Sequence, residues 1–279
     1  MLNGYTLVLL TELFIYPVKS LRGIAVRCAE VDEFGFHGDR RFLVVDLKGR
    51  FLSQRTAPEM ARIATALDAS HLTLSTEGNG FVRVPLRQEG CRASIVSVWG
   101  SSELNAEDCG DEPAAWLSKV IGHACRLVRI GADFRRPILR EGIAREGDLV
   151  AFADAFPFLI ASEASLADLN GRIAARGGIP IPMNRFRPNL VVNGCQAFDE
   201  DRWQRFRIGD IVFRSGGPSI RCVMTTTDQL TGARGKEPLA TLATFRRNPK
   251  DQTQVLFAQN LIHETKTGAL EVGDSLTLL

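Results

Sequence analysis

The 279-residue chain is 45% hydrophobic and 24% charged, ordinary for a globular protein with a sizeable core, and its length fits two domains. A net charge of +2 sets up no global field, so neither nucleic acid nor membrane is expected as a partner. Of the six cysteines no two stand closer than the sixteen residues between Cys109 and Cys125, which excludes paired-cysteine zinc or iron–sulfur spacing; a disulfide framework is not expected either.

In chain order, MLNGYTLVLLTELFIYPVKS holds an apolar run interrupted by Glu12, with no basic leader and no small-residue cleavage site. It reads as a core strand, not a signal peptide or membrane span, so a cytoplasmic location is expected. LVLLTELFIY, VRCAEVDEF, RFLVVD, HLTLST, FVRVPL and ASIVSV predict short strands, most of them separated by Gly, Asp or Asn, the pattern of a barrel or sandwich. DEPAAWLSKVIG predicts a helix capped by Asp111, with Pro113 in its first turn and Gly122 at its end. Trp116, Leu117, Val120 and Ile121 form its expected buried face.

Residues 126–148 hold six arginines among four acids with little periodicity. They read as an interdomain connection, dividing the chain into 1–125 and 126–279. FPFLIA predicts a buried strand that runs into a helix over SEASLADLNGRIAARGG. Ser162 is its expected N-cap, Leu166, Leu169 and Ile173 share one face, and Gly177 or Gly178 ends it. Beyond Pro182, RPNLVVN, RFRIGD, IVFRS, SIRCVMT, QVLFAQNLI and DSLTLL predict strands again. IGDIVF and VGDSLTL each place a Gly-Asp turn before a strand, a barrel-building pattern. The fold class is therefore mainly β with a few helices.

Common catalytic signatures are not met. TGARGKE has Glu237 where a phosphate loop needs Ser or Thr, and no G-x-G-x-x-G occurs. GPSIR places Arg221 where a nucleophile elbow needs glycine, and HETKT at His263 lacks the second histidine of a zincin. Four cationic clusters remain. YPVKS offers Lys19 and Ser20, and GFHGDRRF offers Asp39 and Arg40. RFRPNLVV offers Arg187 and Asn189, with Pro188 between them, and SIRCVMTTTD offers Arg221, Cys222 and Asp228. Cations and amides at strand ends suit an anionic ligand, because arginine grips phosphate oxygens bidentately and lysine acts as a point charge. A guanidinium next to a thiol favours the thiolate, the metal-binding form. Alone, a cysteine in an apolar strand such as Cys222 is more often a small core residue.

YPVKS, GFHGDRRF, DCGDEPAAWL, PFLIASEASLADLN, RFRPNLVVNGCQAFDED and RCVMTTTDQLTG resemble successive segments of the MOSC proteins, from about residue 12 to the C-terminus. The subgroup they are most similar to is the amidoxime reducing components and their bacterial relatives. The resemblance implies an N-terminal β-barrel domain followed by a MOSC β-barrel domain, with the molybdenum cofactor (Mo-molybdopterin) between them. It implies that Cys222 coordinates molybdenum beside the two pterin sulfurs, a soft ligand completing a site whose other ligands arrive with the cofactor. Lys19, Ser20, Arg40, Arg187, Asn189 and Arg221 are implied to hold the pterin and its phosphate. Asp154 falls at a cofactor contact, followed by Ala155 and Phe156 where relatives carry small polar residues, so backbone contacts are expected there. Ile220 stands where relatives have serine, and Ser219 is the expected substitute. Cys195 matches a family cysteine that is no metal ligand.

The implied activity is reduction of small N-hydroxylated compounds. Because the chain ends at Leu279 without a ferredoxin segment, electrons are expected from a separate ferredoxin- or cytochrome-like protein. The rival expectation is a non-catalytic carrier of the cofactor, or of sulfur on Cys222. Asp154 and Asp228 are the candidate general acids.

Overall fold

The computed structural model describes residues 7–279, which form nineteen strands and three α-helices. The first half runs β1 (Val8–Ile15), β2 (Ile24–Val26), β3 (Cys28–Asp32), β4 (Gly35–Phe36), β5 (Phe42–Asp46), β6 (Ala64–Leu67), β7 (His71–Ser75), β8 (Phe81–Pro85), β9 (Ala93–Val98), β10 (Ser101–Asp108), α1 (Asp111–Ile121) and β11 (Cys125–Ile130). The second runs β12 (Phe158–Ser162), α2 (Glu163–Ala175), β13 (Leu190–Asn193), β14 (Arg205–Ile208), β15 (Ile211–Arg221), α3 (Leu239–Leu242), β16 (Arg247–Asn248), β17 (Asp251–His263), β18 (Ala269–Glu271) and β19 (Ser275–Leu278).

Strands β12, β13, β1, β19, β14, β15 and β17 hydrogen-bond in that order, and β12 pairs again with β17. Seven strands thus close a barrel and leave no edge within the ring. One of them, β1, comes from the start of the chain and lies antiparallel to β13 through Leu9↔Asn193 and Leu13↔Leu190. Alternation sorts the side chains. Leu10, Leu13, Phe158, Ile160 and Phe213 fill the interior. Leu159, Ala161 and Phe257 face outward onto Leu169 and Ile173 of α2. Covered on both sides, β12 is buried at all five positions.

The first half adds a four-stranded sheet, β5-β11-β10-β9, and a three-stranded meander, β6-β7-β8. Leu117 and Ile121 of α1 pack there with Leu72, Val84 and Leu127, while Trp116 and Val120 sit half-buried at the margin. The cap of α1 is Gly110, not Asp111; Asp111 lies inside the first turn, where a carboxylate faces the positive end of the helix. Gly122 closes that helix in the left-handed region as expected (φ 84°), and Ser162 caps α2 by accepting the Ser165 N–H at 3.0 Å.

Three local readings change. The connection expected over 126–148 begins as strand: β11 pairs with β5 and β10, and its arginines are held by Asp108 and Glu107. RPNLVVN becomes strand only at Leu190, because Arg187 is left-handed and Pro188 lacks an N–H. IVFRS and SIRCVMT form one strand that stops at Arg221, after which Cys222 leads into a 3-10 turn, Val223–Thr226. No helix among the described residues is long and apolar enough to cross a membrane.

His263 ends β17 fully buried, its ring edge-on to Phe158 and its Nε2 donating to the Asp32 carbonyl at 2.6 Å. Burial, with Lys266 nearby, pushes its pKa from 6.5 down to about 4. The unfolded chain therefore binds this proton first as pH falls. The contribution is intact above 6.5 and lost between 6.5 and 4, about 3 kcal/mol in all. We expect thermal melts to drop across that window, and less steeply in His263→Gln; equal slopes would contradict the assignment.

Candidate cofactor cleft

A cleft of about 730 Å³ opens where the first half meets the end of the barrel. All ten residues expected from the sequence to contact the cofactor line it. Eight cationic side chains and one carboxylate face it, so its chemistry is that of an anion site.

Ser20 (φ 68°), Arg40 (φ 49°) and Arg187 (φ 58°) all hold left-handed backbone. Such strain in non-glycine residues persists only where the surroundings enforce it, and it gathers at ligand sites. Here hydrogen bonds enforce it. The Arg40 N–H donates to the Tyr16 carbonyl at 2.7 Å, and its carbonyl accepts the Phe152 N–H at 3.0 Å. The Tyr16 ring contacts both the Arg40 and the Arg187 guanidinium, each 4.3 Å from its centroid. Its hydroxyl, pushed up to about 12 by burial, donates to the Pro188 carbonyl at 3.0 Å. Arg40 also donates to Asp39 at 2.6 Å and to the side chain of Asn189 at 2.9 Å. Asn189 is buried and clamps strands rather than facing free into the cleft: its Nδ2 donates to the Phe14 carbonyl at 3.1 Å.

Lys19 is buried and paired with Asp154, which also accepts from Arg55 at 3.2 Å and from the Trp99 indole at 3.1 Å. Burial would raise the Asp154 pKa, but the Lys19 and Arg55 charges and these hydrogen bonds hold it well below the usual carboxylate range. The turn that carries Asp154 is pinned from below. Arg136, itself buried, donates to the carbonyls of Ala151 (2.8 Å), Ala153 (2.6 Å) and Asp154 (2.9 Å). Phe156 follows on the cleft wall beside Gly216, where an added Cβ would come within 2.7 Å of its ring.

Pairing between β15 and β17 shifts register twice, between Ser215 and Gly217 and between Pro218 and Ile220. Such bulges re-aim a strand end, here toward the cleft. Arg221 then donates to Ser219 Oγ at 2.9 Å and to the Phe186 carbonyl at 2.8 Å. Burial pushes the Arg187 guanidinium to about 10 and lowers that of Arg221, yet both stay cationic at neutral pH. Neither has a carboxylate within ion-pair distance among the described residues, unlike Lys19, Arg40, Arg55 and Arg185. Cys222 is partly exposed, and its Sγ has no hydrogen-bond partner among the described residues. The buried Ser20 Oγ, Arg55 Nη1, Arg185 Nε and Arg221 Nε are likewise without partners. No cluster of three or more His, Cys, Asp or Glu is placed to hold a metal among those residues, so protein ligation there would rest on one thiolate. Buried cations, orphaned donors and one open sulfur fit a large anionic cofactor that brings its own metal ligands.

Asp228, named as a candidate acid, does not line the cleft. It accepts the N–H groups of Thr231 (2.9 Å) and Leu230 (3.0 Å) and pairs with Arg185 at 3.0 Å; the backbone bond from Thr231 leads in holding its pKa low. Both candidate carboxylates are thus ionised at neutral pH. Lys19 differs: burial brings its pKa from 10.5 down to about 8, against the pull of Asp154. Its charge is present below about 8 and lost above. Binding of inorganic phosphate in the cleft should therefore weaken about tenfold between pH 7 and 9 by calorimetry. A pH-independent affinity would contradict a role for Lys19 in anion binding.

Arg55, Trp99, Arg136 and Arg185 were missed from sequence. A hint for Trp99 is its position in a hairpin turn, where it takes φ 53°.

Together these features define a two-part β protein with a basic, thiol-bearing cleft. Residues 7–124 match the MOSC N-terminal beta barrel domain and residues 147–277 match the MOSC domain. The chain is 34% identical to human mitochondrial amidoxime-reducing component 1, over 96% of this chain and 82% of that protein. It is 32% identical to bovine mitochondrial amidoxime reducing component 2, over 95% and 81%. It is also 33% identical to a molybdenum cofactor sulfurase of rice, over 91% of this chain but 32% of that protein. The chain belongs to the MOSC family.

Proposed function

We propose that this chain is a molybdenum-cofactor oxidoreductase that reduces small N-hydroxylated compounds. The observation that carries the reading is the pair of half-buried, carboxylate-free cations, Arg187 and Arg221, beside the unpartnered thiol of Cys222. Arg187 and Arg221 donate to carbonyls and a hydroxyl but meet no carboxylate, so their charge is uncompensated, and an anionic ligand relieves that cost. When bound, the molybdenum cofactor supplies the two-electron chemistry.

The chain's own residues bind and orient. Cys222 offers the metal thiolate. Arg187 and Arg221 face the anionic part of the cofactor, with Ser20 and the Arg40 side chain beside them. Lys19 holds charge toward the phosphate while Asp154 keeps its ammonium in place. Ala155 and Phe156 offer backbone groups and an apolar wall. With Asp154 and Asp228 ionised, Lys19 is the side chain here best able to hold and release a proton near neutral pH. Electrons would come from a separate ferredoxin- or cytochrome-like protein.

The test is turnover of an aryl amidoxime to the amidine by metal-loaded protein with a chemical reductant. Product formation is expected. Metal-loaded protein without turnover would overturn the enzymatic reading. The similarity to the rice sulfurase favours one rival, a carrier of cofactor or of sulfur on Cys222. A Cys222 persulfide in protein without reductase activity would establish it.

A further inference from the structure

We propose that Cys91 and Cys109 form a redox-sensitive dithiol, separate from the cofactor cleft, which hydroperoxides close to a disulfide. Strands β9 and β10 are antiparallel through Val96↔Leu104 and Ala93↔Glu107. One step further, the Asp108 N–H donates to the Arg92 carbonyl at 2.9 Å. The next facing pair is Cys91 and Cys109. Since Arg92 and Asp108 share a ladder hydrogen bond, Cys91 and Cys109 fall at a non-hydrogen-bonded position. There Cα atoms lie about 4.5 Å apart and side chains share a face. That spacing is within the range a disulfide needs, roughly 4.4–6.8 Å between Cα atoms.

The surroundings support the same pairing. By strand alternation both cysteines share the face of Glu107 and Arg129, which pair at 2.8 Å. Arg129 Nη2 donates to Cys91 Sγ at 2.8 Å, a counter-ion for the anionic sulfur through which oxidation passes. Cys91 is partly exposed and Cys109 buried, so an oxidant meets Cys91 first. Burial pushes the Cys109 thiol up to about 12, which leaves it as the second, resolving thiol.

The chemistry balances with a hydroperoxide as oxidant. Cys91 sulfur attacks the terminal peroxide oxygen; the O–O bond breaks, and the departing oxygen leaves protonated, giving a sulfenic acid. Cys109 sulfur attacks the Cys91 sulfur; the S–O bond breaks, and hydroxide leaves as water with the Cys109 proton. Two thiols and one peroxide give one disulfide, one water and one alcohol, or a second water from hydrogen peroxide.

The experiment treats the intact native chain with stoichiometric hydrogen peroxide, alkylates remaining thiols, and digests without reduction for mass spectrometry. A peptide linked through Cys91 and Cys109, removed by dithiothreitol, is expected. It should form equally in Cys222→Ala and not in Cys91→Ser, whose Cys109 stays alkylatable on unfolding. Cys109→Ser should accumulate a dimedone-reactive sulfenic acid at Cys91. Sulfinic acid at Cys91 with Cys109 still a thiol in the native chain, a link through another cysteine, or a link between chains would overturn the proposal.

Discussion

Cys222→Ala is expected to fold normally and to lose molybdenum. The sulfur has no hydrogen-bond partner among the described residues and is partly exposed, so removing it leaves neither a stranded donor nor a sealed cavity. Substitutions of that kind change stability by about 0.5 kcal/mol or less. The melting curve should therefore overlay that of the parent chain. On the proposed reading, the metal would lose its sole protein thiolate. Even partners one shell further out commonly contribute 10- to 100-fold in affinity, so metal content should fall by about a hundredfold. Pterin should fall less, because in the proposed site Arg187, Arg221 and Lys19 would hold a different part of the cofactor. Activity on an N-hydroxylated substrate should vanish with the metal. Equal metal content in variant and parent, by elemental analysis of folded protein, would contradict ligation by Cys222.

The opposite profile is expected for Arg136→Ala. Its guanidinium supplies hydrogen bonds to three carbonyls of the 151–154 turn and to Ser101 Oγ at 3.1 Å. Alanine fills none of these roles. Each buried carbonyl left without a donor costs about 1–3 kcal/mol, and some recover through water, so a total loss of about 3–5 kcal/mol is expected. Denaturant unfolding should show the midpoint falling with an unchanged slope. Asp154 would lose its fixed position, Lys19 would lose its partner, and phosphate binding in the cleft should weaken as well. An exposed arginine in an interdomain connection would cost almost nothing.

That contrast shows where sequence reasoning reaches. Lys19, Arg40, Arg187 and Arg221 were legible because each stands at the end of an apolar run beside a turn, and they share one cleft because β1, β13 and β15 belong to one barrel and Val18, just beyond β1, bridges to Phe42 at the start of β5. Arg136 was not legible. Its partners lie fifteen to eighteen residues on, in a turn with no periodic pattern of its own. The strand β11 hid for a related reason: Arg126 and Arg129 break its apolar run, and only their carboxylate partners on β10 make the segment pairable. Strand β10 itself, SSELNAED, buries only Leu104, Ala106 and Asp108 on one face, too weak an alternation to read alone. The membership of β1 in the barrel could not be read at all, since Leu10 pairs with Val192, far along the sequence. Arg187 was chosen for its charge, and its left-handed backbone came only with the structure.

The same geometry separates binding from turnover. The cleft's cations, orphaned donors and open thiol bear on what is held, and the two carboxylates considered as acids, Asp154 in the cleft and Asp228 outside it, are both ion-paired. Cofactor binding is therefore the claim on which the rest depends. Its most direct test is the molybdenum and pterin content of the purified, unaltered chain from a molybdenum-sufficient host. The account predicts about one of each per chain, with the pterin released on denaturation. Folded protein with neither, even after incubation with the cofactor, would contradict it.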